Sequence, residues 1–100
     1  MYVIAEFTIV PIGVGVSLSK YVAECKKMLE ESGLTYELHA NGTNLEGEWE
    51  EVDALIRACH EKMHAMGVPR VYTVLKYATR TDKDQRMRDK IQSVEEKLST

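Results

Sequence analysis

The residues best equipped for chemistry stand in His60-Glu61-Lys62-Met63-His64, an H-E-x-x-H spacing. On a helix that spacing puts two imidazoles on one side, with a glutamate between them, as in zinc hydrolases. A catalytic zinc also needs a third protein ligand and an open position. The extended form of the motif would place a histidine three residues after Gly67, where this chain has Arg70. Cys59 and Met63 lie at the centre of the apolar stripe of the same segment, which puts His60 and His64, each about 100° round, on the shoulder of the helix, mostly in solvent. We therefore expect no metal site and no catalytic residue. A small divalent-metal enzyme using His60 and His64 is the alternative, since histidines four apart are neighbours on a helix.

A second group holds carboxylates: Glu6, Glu37 and Glu46, with Thr8, Asn44, Lys76 and His39 interleaved. A carboxylate accepts hydrogen bonds at two oxygens, which suits an aminopyrimidine or a guanidinium. Other signals are weaker. Gly13-Val14-Gly15 precedes a helix but has Leu18 where a third phosphate-loop glycine would stand, so a plain turn is expected. Cys25 and Cys59 fall on apolar stripes and read as small core residues.

Whether the acids meet depends on the elements that carry them. Residues 3–10 are rich in β-branched side chains and end at Pro11, which reads as a strand followed by a turn. Leu18, Tyr21, Val22, Cys25, Met28 and Leu29 repeat at helical spacing from Ser17 or Ser19 to about Glu31, and Gly33 stops the run. Residues 35–40 and 43–47 read as strands joined by Asn41-Gly42, a strong hairpin signal. A second helix spans about residues 48–66, with Glu48, Glu50 and Glu51 where the dipole favours negative charge and Gly67 as its cap. Residues 71–77 form the last strand. Asp82-x-x-Gln85 resembles a capping box opening a last helix, which carries Met87, Ile91, Val94 and Leu98 on one side.

The expected order is β-α-β-β-α-β with an extra C-terminal helix, a single α+β domain over residues 1–100. It matches the ferredoxin-like split βαβ unit, an antiparallel sheet with two helices on one face. Alternation along the strands sends Val3, Ala5, Phe7, Ile9, Tyr36, Leu38 and Leu45 towards the helices. Glu6, Thr8, Glu37, His39, Asn44 and Glu46 face the other way. A two-residue Asn41-Gly42 turn would set Glu37 directly opposite Glu46. Like charges so placed destabilise a ladder, so Lys76 and His39, or an external cation, should compensate. Tyr72 and Trp49 could lend aromatic surface nearby.

Composition narrows the classes. The length of 100 residues permits one domain. Charged residues at 29% and apolar ones at 44% describe a soluble globular chain. The net charge of −3 argues against nucleic acid as a partner. No signal peptide or long apolar run is evident, so no membrane association and a reducing, cytoplasmic setting are expected.

Several motifs together resemble a specific family. They are residues 5–13, Ala-Glu-Phe-Thr-Ile-Val-Pro-Ile-Gly; residues 42–49, Gly-Thr-Asn-Leu-Glu-Gly-Glu-Trp; Arg70-Val71-Tyr72-Thr73; and residues 93–98, Ser-Val-Glu-Glu-Lys-Leu. Over nearly its whole length the chain is similar to the small thiamine-binding protein family of ferredoxin-like fold. That resemblance implies cytoplasmic subunits pairing through their sheets, as a dimer of dimers. It implies binding of thiamine or its pyrimidine moiety as ligand, without turnover and with no cofactor. The matching positions are Thr43, Asn44 and Glu46, with Glu6 and Thr8 beside them. One departure follows Lys76. Relatives often carry an apolar residue, two acids and an arginine there; this chain has Tyr77, Ala78, Thr79 and Arg80. Arg70 and Arg80 flank the last expected strand and could receive a phosphate, should the ligand carry one. A protein whose polar sheet face serves only oligomerisation is a further alternative.

Overall fold

The computed structural model describes residues 1–99. It contains β1 (Tyr2–Ile12), α1 (Ser19–Ser32), β2 (Thr35–His39), β3 (Gly42–Glu48), α2 (Trp49–Ala65), β4 (Arg70–Ala78) and α3 (Met87–Leu98). The strands form one antiparallel sheet in the order β2-β3-β1-β4. This is the expected ferredoxin-like α+β arrangement, with α1 and α2 on one face and α3 on the other.

The core lies between the sheet and α1/α2. Val3, Ala5, Phe7 and Leu45 meet Leu29, Val52, Leu55 and Ile56 there, all buried. A second cluster holds Tyr21, Cys25, Cys59, Met63 and Val68. Both cysteines are buried and unlinked, as their place on the stripes implied.

Three details differ from the sequence reading. First, β1 runs through Pro11 to Ile12 and pairs there with Val71 and Arg70. Its ladder with β3 ends at Phe7↔Thr43. Beyond Phe7 only β4 flanks β1, so Pro11 lies where one edge is unpaired and the missing N–H is tolerated.

Second, the hairpin turns at Ala40-Asn41, one residue early. His39 pairs with Gly42, Leu38 with Thr43, Glu37 with Asn44 and Tyr36 with Leu45. Among the described residues none other than glycine has positive φ, so the expected type I′ turn does not form. Gly42 is needed inside β3 instead. A Cβ there would lie 2.9 Å from Thr8 Oγ1 and 3.0 Å from Phe7 O. The Thr8 hydroxyl also donates to Asn41 O at 2.8 Å, tying the turn to β1. Moving the turn by one residue moves every partner by two, so every side chain keeps its expected face. Glu37 therefore faces Asn44, and Thr35 faces Glu46.

Third, α3 starts at Met87, later than Asp82. Arg80 takes both residues of the anticipated capping box: its guanidinium donates to Asp82 at 2.6 and 2.8 Å and to Gln85 at 2.6 Å. Asp89 then caps the helix, accepting the Arg86 N–H at 3.0 Å.

Tyr77, on the helix side of β4, stacks on Trp49 with ring centroids 4.9 Å apart and donates to Asp53 of α2. Burial, followed by the bond to Asp53, pushes its phenol up to about 12. The protonated form is thus favoured on folding. Its contribution is complete below the ordinary value of 10.0 and is lost as pH rises towards 12. Urea midpoints measured at pH 9 and pH 11.5 should fall for the native chain. A Tyr77→Phe variant, less stable at pH 9, should lose less over that interval; an equal loss in both would refute the linkage.

Candidate functional site

The side of the sheet turned away from α1 and α2 is not left bare. The chain returns after β4 through residues 79–86 and lays α3 over it. What holds α3 there is a buried carboxylate. Glu46 is only 3% exposed, although β3 puts it on the outer face. The Tyr2 hydroxyl donates to its Oε1 at 2.7 Å, and the Met87 backbone N–H donates to its Oε2 at 3.3 Å. Met87 is the first residue of α3, so an acid sits against a helix N-terminus, where the unpaired N–H groups and the dipole favour negative charge. The Arg86 guanidinium lies 3.7 Å from the centre of the Tyr2 ring and brings positive charge to the same corner. Burial, and next the bond to Glu46, raise the Tyr2 phenol above its ordinary value.

Clefts open on either side of the first turns of α3. One, towards β2, is lined by Thr35, Glu37, Glu46, Arg88, Ile91 and Glu95. The other, towards β1 and β4, has a volume of about 390 Å³. Ile4, Ala78, Met87 and Ile91 give it apolar walls, and Glu6, Asn44, Lys76 and Lys90 bring polar groups. Glu6 and Asn44 are partners on adjacent strands. Such a size, with a few polar groups on mostly apolar walls, is usual for small-molecule sites.

Glu6 is charge-compensated as the alternation implied. Its Oε1 lies 3.5 Å from Lys76 Nζ and its Oε2 3.5 Å from His39 Nε2. The second contact is at ion-pair distance without forming a hydrogen bond, since His39 Nε2 is buried with no hydrogen-bond partner. The Lys76 side chain is 76% exposed, so its pairing with Glu6 is loose and replaceable.

The expected ligand residues therefore separate. Glu6 and Asn44 line one cleft together. Glu46 stands two rungs along the same face, with both oxygens engaged. Thr8 shares that face, but its hydroxyl is committed to the hairpin turn. Thr43 is 6% exposed and points to the opposite side, between Phe7 and Leu38. Trp49 also lies on the helix side, and Tyr72 is exposed at the far end of β4. Lys90 was not anticipated from the sequence, because only the return of α3 over the sheet brings it near Glu6.

The histidine pair has other employment. His60 Nε2 lies 2.5 Å from Thr73 Oγ1, and His64 Nδ1 lies 2.8 Å from Val68 O. Burial, and secondarily His64, lower the pKa of His60 and favour its neutral form. These contacts tie α2 to β4 and to the turn that follows α2. Among the described residues no cluster of three or more histidine, cysteine or acidic side chains is placed to hold a metal ion.

Known proteins place this geometry. A family model described as thiamine-binding protein matches residues 5–95. A UPF0045 protein of Synechocystis sp. is 52% identical over 95 residues, covering 95% of this chain and 78% of the relative. Another, from Methanothermobacter thermautotrophicus, is 42% identical over 94% of this chain and 97% of its own length. A solved structure from Methanocaldococcus jannaschii superposes with a TM-score of 0.86 at 34% identity, covering 95% of this chain and 97% of that one. One from Thermotoga maritima has the same fold, with a TM-score of 0.79 at 17% identity over 94% and 99%.

If Glu46 is what seats α3, Glu46→Ala should release it. Losing a charge-assisted bond to a helix end costs about 1.5–3 kcal/mol. Amide hydrogen exchange in α3 should then quicken by about tenfold or more, with β1 and β3 less affected. Unchanged α3 protection would show that other contacts hold the helix.

Proposed function

The chain belongs to the thiamine-binding protein family, and from that premise we propose that it binds thiamine, or the aminopyrimidine half of it, in the cleft between β1, β4 and α3, without chemical turnover. The observation that carries this reading is the pairing of Glu6 and Asn44 across β1 and β3 within an apolar-walled cleft of about 390 Å³. An aminopyrimidine offers an exocyclic amine that donates and ring nitrogens that accept. A carboxylate takes the amine, and the amide of Asn44 gives its N–H to a ring nitrogen. The flat ring rests on Ile4, Met87 and Ile91.

The thiazolium part of thiamine is a cation. Glu6 already attracts Lys76 from solvent, and a bound cation replaces that exposed ammonium at little cost. Glu46 then acts on the site by setting α3 as its wall. Thr8 and Thr43 shape the strands around it.

Self-association belongs to the same reading. Ile91, Val94 and Leu98 of α3 are 50%, 59% and 80% exposed, and Tyr72 and Val74 on the outer sheet face are 54% and 48% exposed. The radius of gyration is 15.2 Å, against about 13 Å for a compact domain of this length. An apolar stripe on a helix that extends from the body, beside an apolar half-sheet, fits a second copy laid over the same faces. No helix among the described residues is long and apolar enough to cross a membrane. We place the protein in the cytoplasm, where two unlinked thiols persist.

Calorimetric titration with thiamine tests the ligand. We expect saturable binding, weakened about tenfold or more by Glu6→Gln and by Asn44→Ala, about 1.4 kcal/mol each, with unaltered circular dichroism. Absence of binding by the native chain at millimolar thiamine would refute the assignment. Sedimentation tests the assembly: Val94→Glu should shift an oligomer towards monomer, and a native chain that sediments as a monomer at high concentration would refute pairing through α3.

A further inference from the structure

A smaller cavity of about 140 Å³ adjoins the proposed thiamine cleft, and Ile4, Ala78 and Lys90 line both. Its remaining wall comes from Tyr2 and from the return segment, including Thr79, Arg80, Lys83, Asp84 and Gln85. The charge there is mainly positive. Its carboxylate, Asp84, lies 3.4 Å from Arg86 Nε. Arg80 is held in place by Asp82 and Gln85. The pair with Arg80 holds the Asp82 carboxyl down at about 2, so the strut keeps its form at any physiological pH. Among the described residues, no ion pair engages the ammonium of Lys83 or Lys90. Two cations without a close ion-pair partner, Lys83 also contributing to the field that lowers Asp82, stand beside a fixed guanidinium; a cavity the size of roughly four or five waters so lined suits a compact anion.

The continuity of the two spaces decides which anion. Lys90 reaches both, so a ligand whose ring lies against Glu6 and Asn44 has its far end within reach of the basic cavity. We propose that the physiological ligand is a phosphate monoester of thiamine or of its hydroxyalkyl pyrimidine, with the phosphoryl group held by Lys83 and Lys90 beside Arg80 and the Thr79 hydroxyl. This rests on the thiamine reading and specifies the chemical class the site takes. Ala78 and Thr79 matter because they are uncharged: acids at those positions would oppose the phosphoryl charge. Lysine ammonium groups and hydroxyls recognise phosphate as a point charge with acceptor oxygens, and their attraction is screened by salt.

The test is titration of the native chain with thiamine, thiamine monophosphate and inorganic phosphate at low and high salt. The monophosphate should bind at least tenfold more tightly than thiamine at low salt, with the margin shrinking at high salt. Lys83→Gln and Thr79→Glu touch only the basic cavity, so each should erase most of that margin while thiamine affinity stays within twofold. Inorganic phosphate alone should shift the amide resonances of residues 79–90. Equal binding of thiamine and its monophosphate, or a margin that survives Lys83→Gln, overturns the inference and leaves the thiamine reading standing. Phosphate shifts that Lys83→Gln abolishes, in a chain that binds neither thiamine compound, overturn the thiamine reading and support the anion subsite alone. No response to any of the three overturns both.

Discussion

The outer face of this protein depends on one buried acid. Glu46 cannot be left unpaired at 3% exposure, because a desolvated carboxylate without partners costs several kcal/mol. Its two oxygens are answered from different parts of the chain: Tyr2 at the start of β1, and the first N–H of α3. The arrangement is reciprocal. The helix terminus needs acceptors for its orphan N–H groups, and the acid needs donors. One contact thus joins the first strand, the third strand and the C-terminal helix, and it turns a flat sheet face into clefts flanking a helix. Without α3 in that place, Glu6 and Asn44 would lie on an open β-surface.

The second acid plays a different part because its surroundings differ. Glu6 is half exposed, and its neighbours Lys76 and His39 approach only to 3.5 Å. Such a carboxylate keeps acceptor capacity for a visiting group, whereas Glu46 has spent its own on structure. The separation follows from where α3 crosses: directly over Glu46, and to one side of Glu6. The same crossing brings Lys90 between the apolar-walled cleft and the basic cavity, so both spaces owe their walls to one docking event.

The faces of the sheet were legible from alternation alone, because side chains on a strand alternate with a period of two and that period survives a slip of two residues. Val3, Ala5, Phe7 and Leu45 went in; Glu6, Asn44 and Glu46 went out. The register itself differs from the expected one by two residues. Asn41-Gly42 looks like a type I′ turn, but Gly42 is required where β3 passes close to Thr8 and Phe7, a contact between segments far apart in sequence. Thr43 joined the candidate list through its motif, although the period of two already put it on the side of Leu45. The start of α3 was misplaced for a similar reason, since Arg80 claims Asp82 and Gln85. The H-E-x-x-H histidines contact Thr73 and Val68, and those contacts depend on β4 lying beside α2.

What the chain determined by itself was its local grammar: which segments become helix or strand, which face of each is apolar, and that several acids share the polar side of a sheet. Those are set by periodicity and by backbone preferences within a few residues. Tertiary structure alone decided which of those acids is buried and which is available, that Asn44 stands beside Glu6, and that Lys83, Lys90 and Arg80 gather next to them. Burial and charge proximity are properties of space between distant segments, and here that space exists only because α3 returns across the sheet.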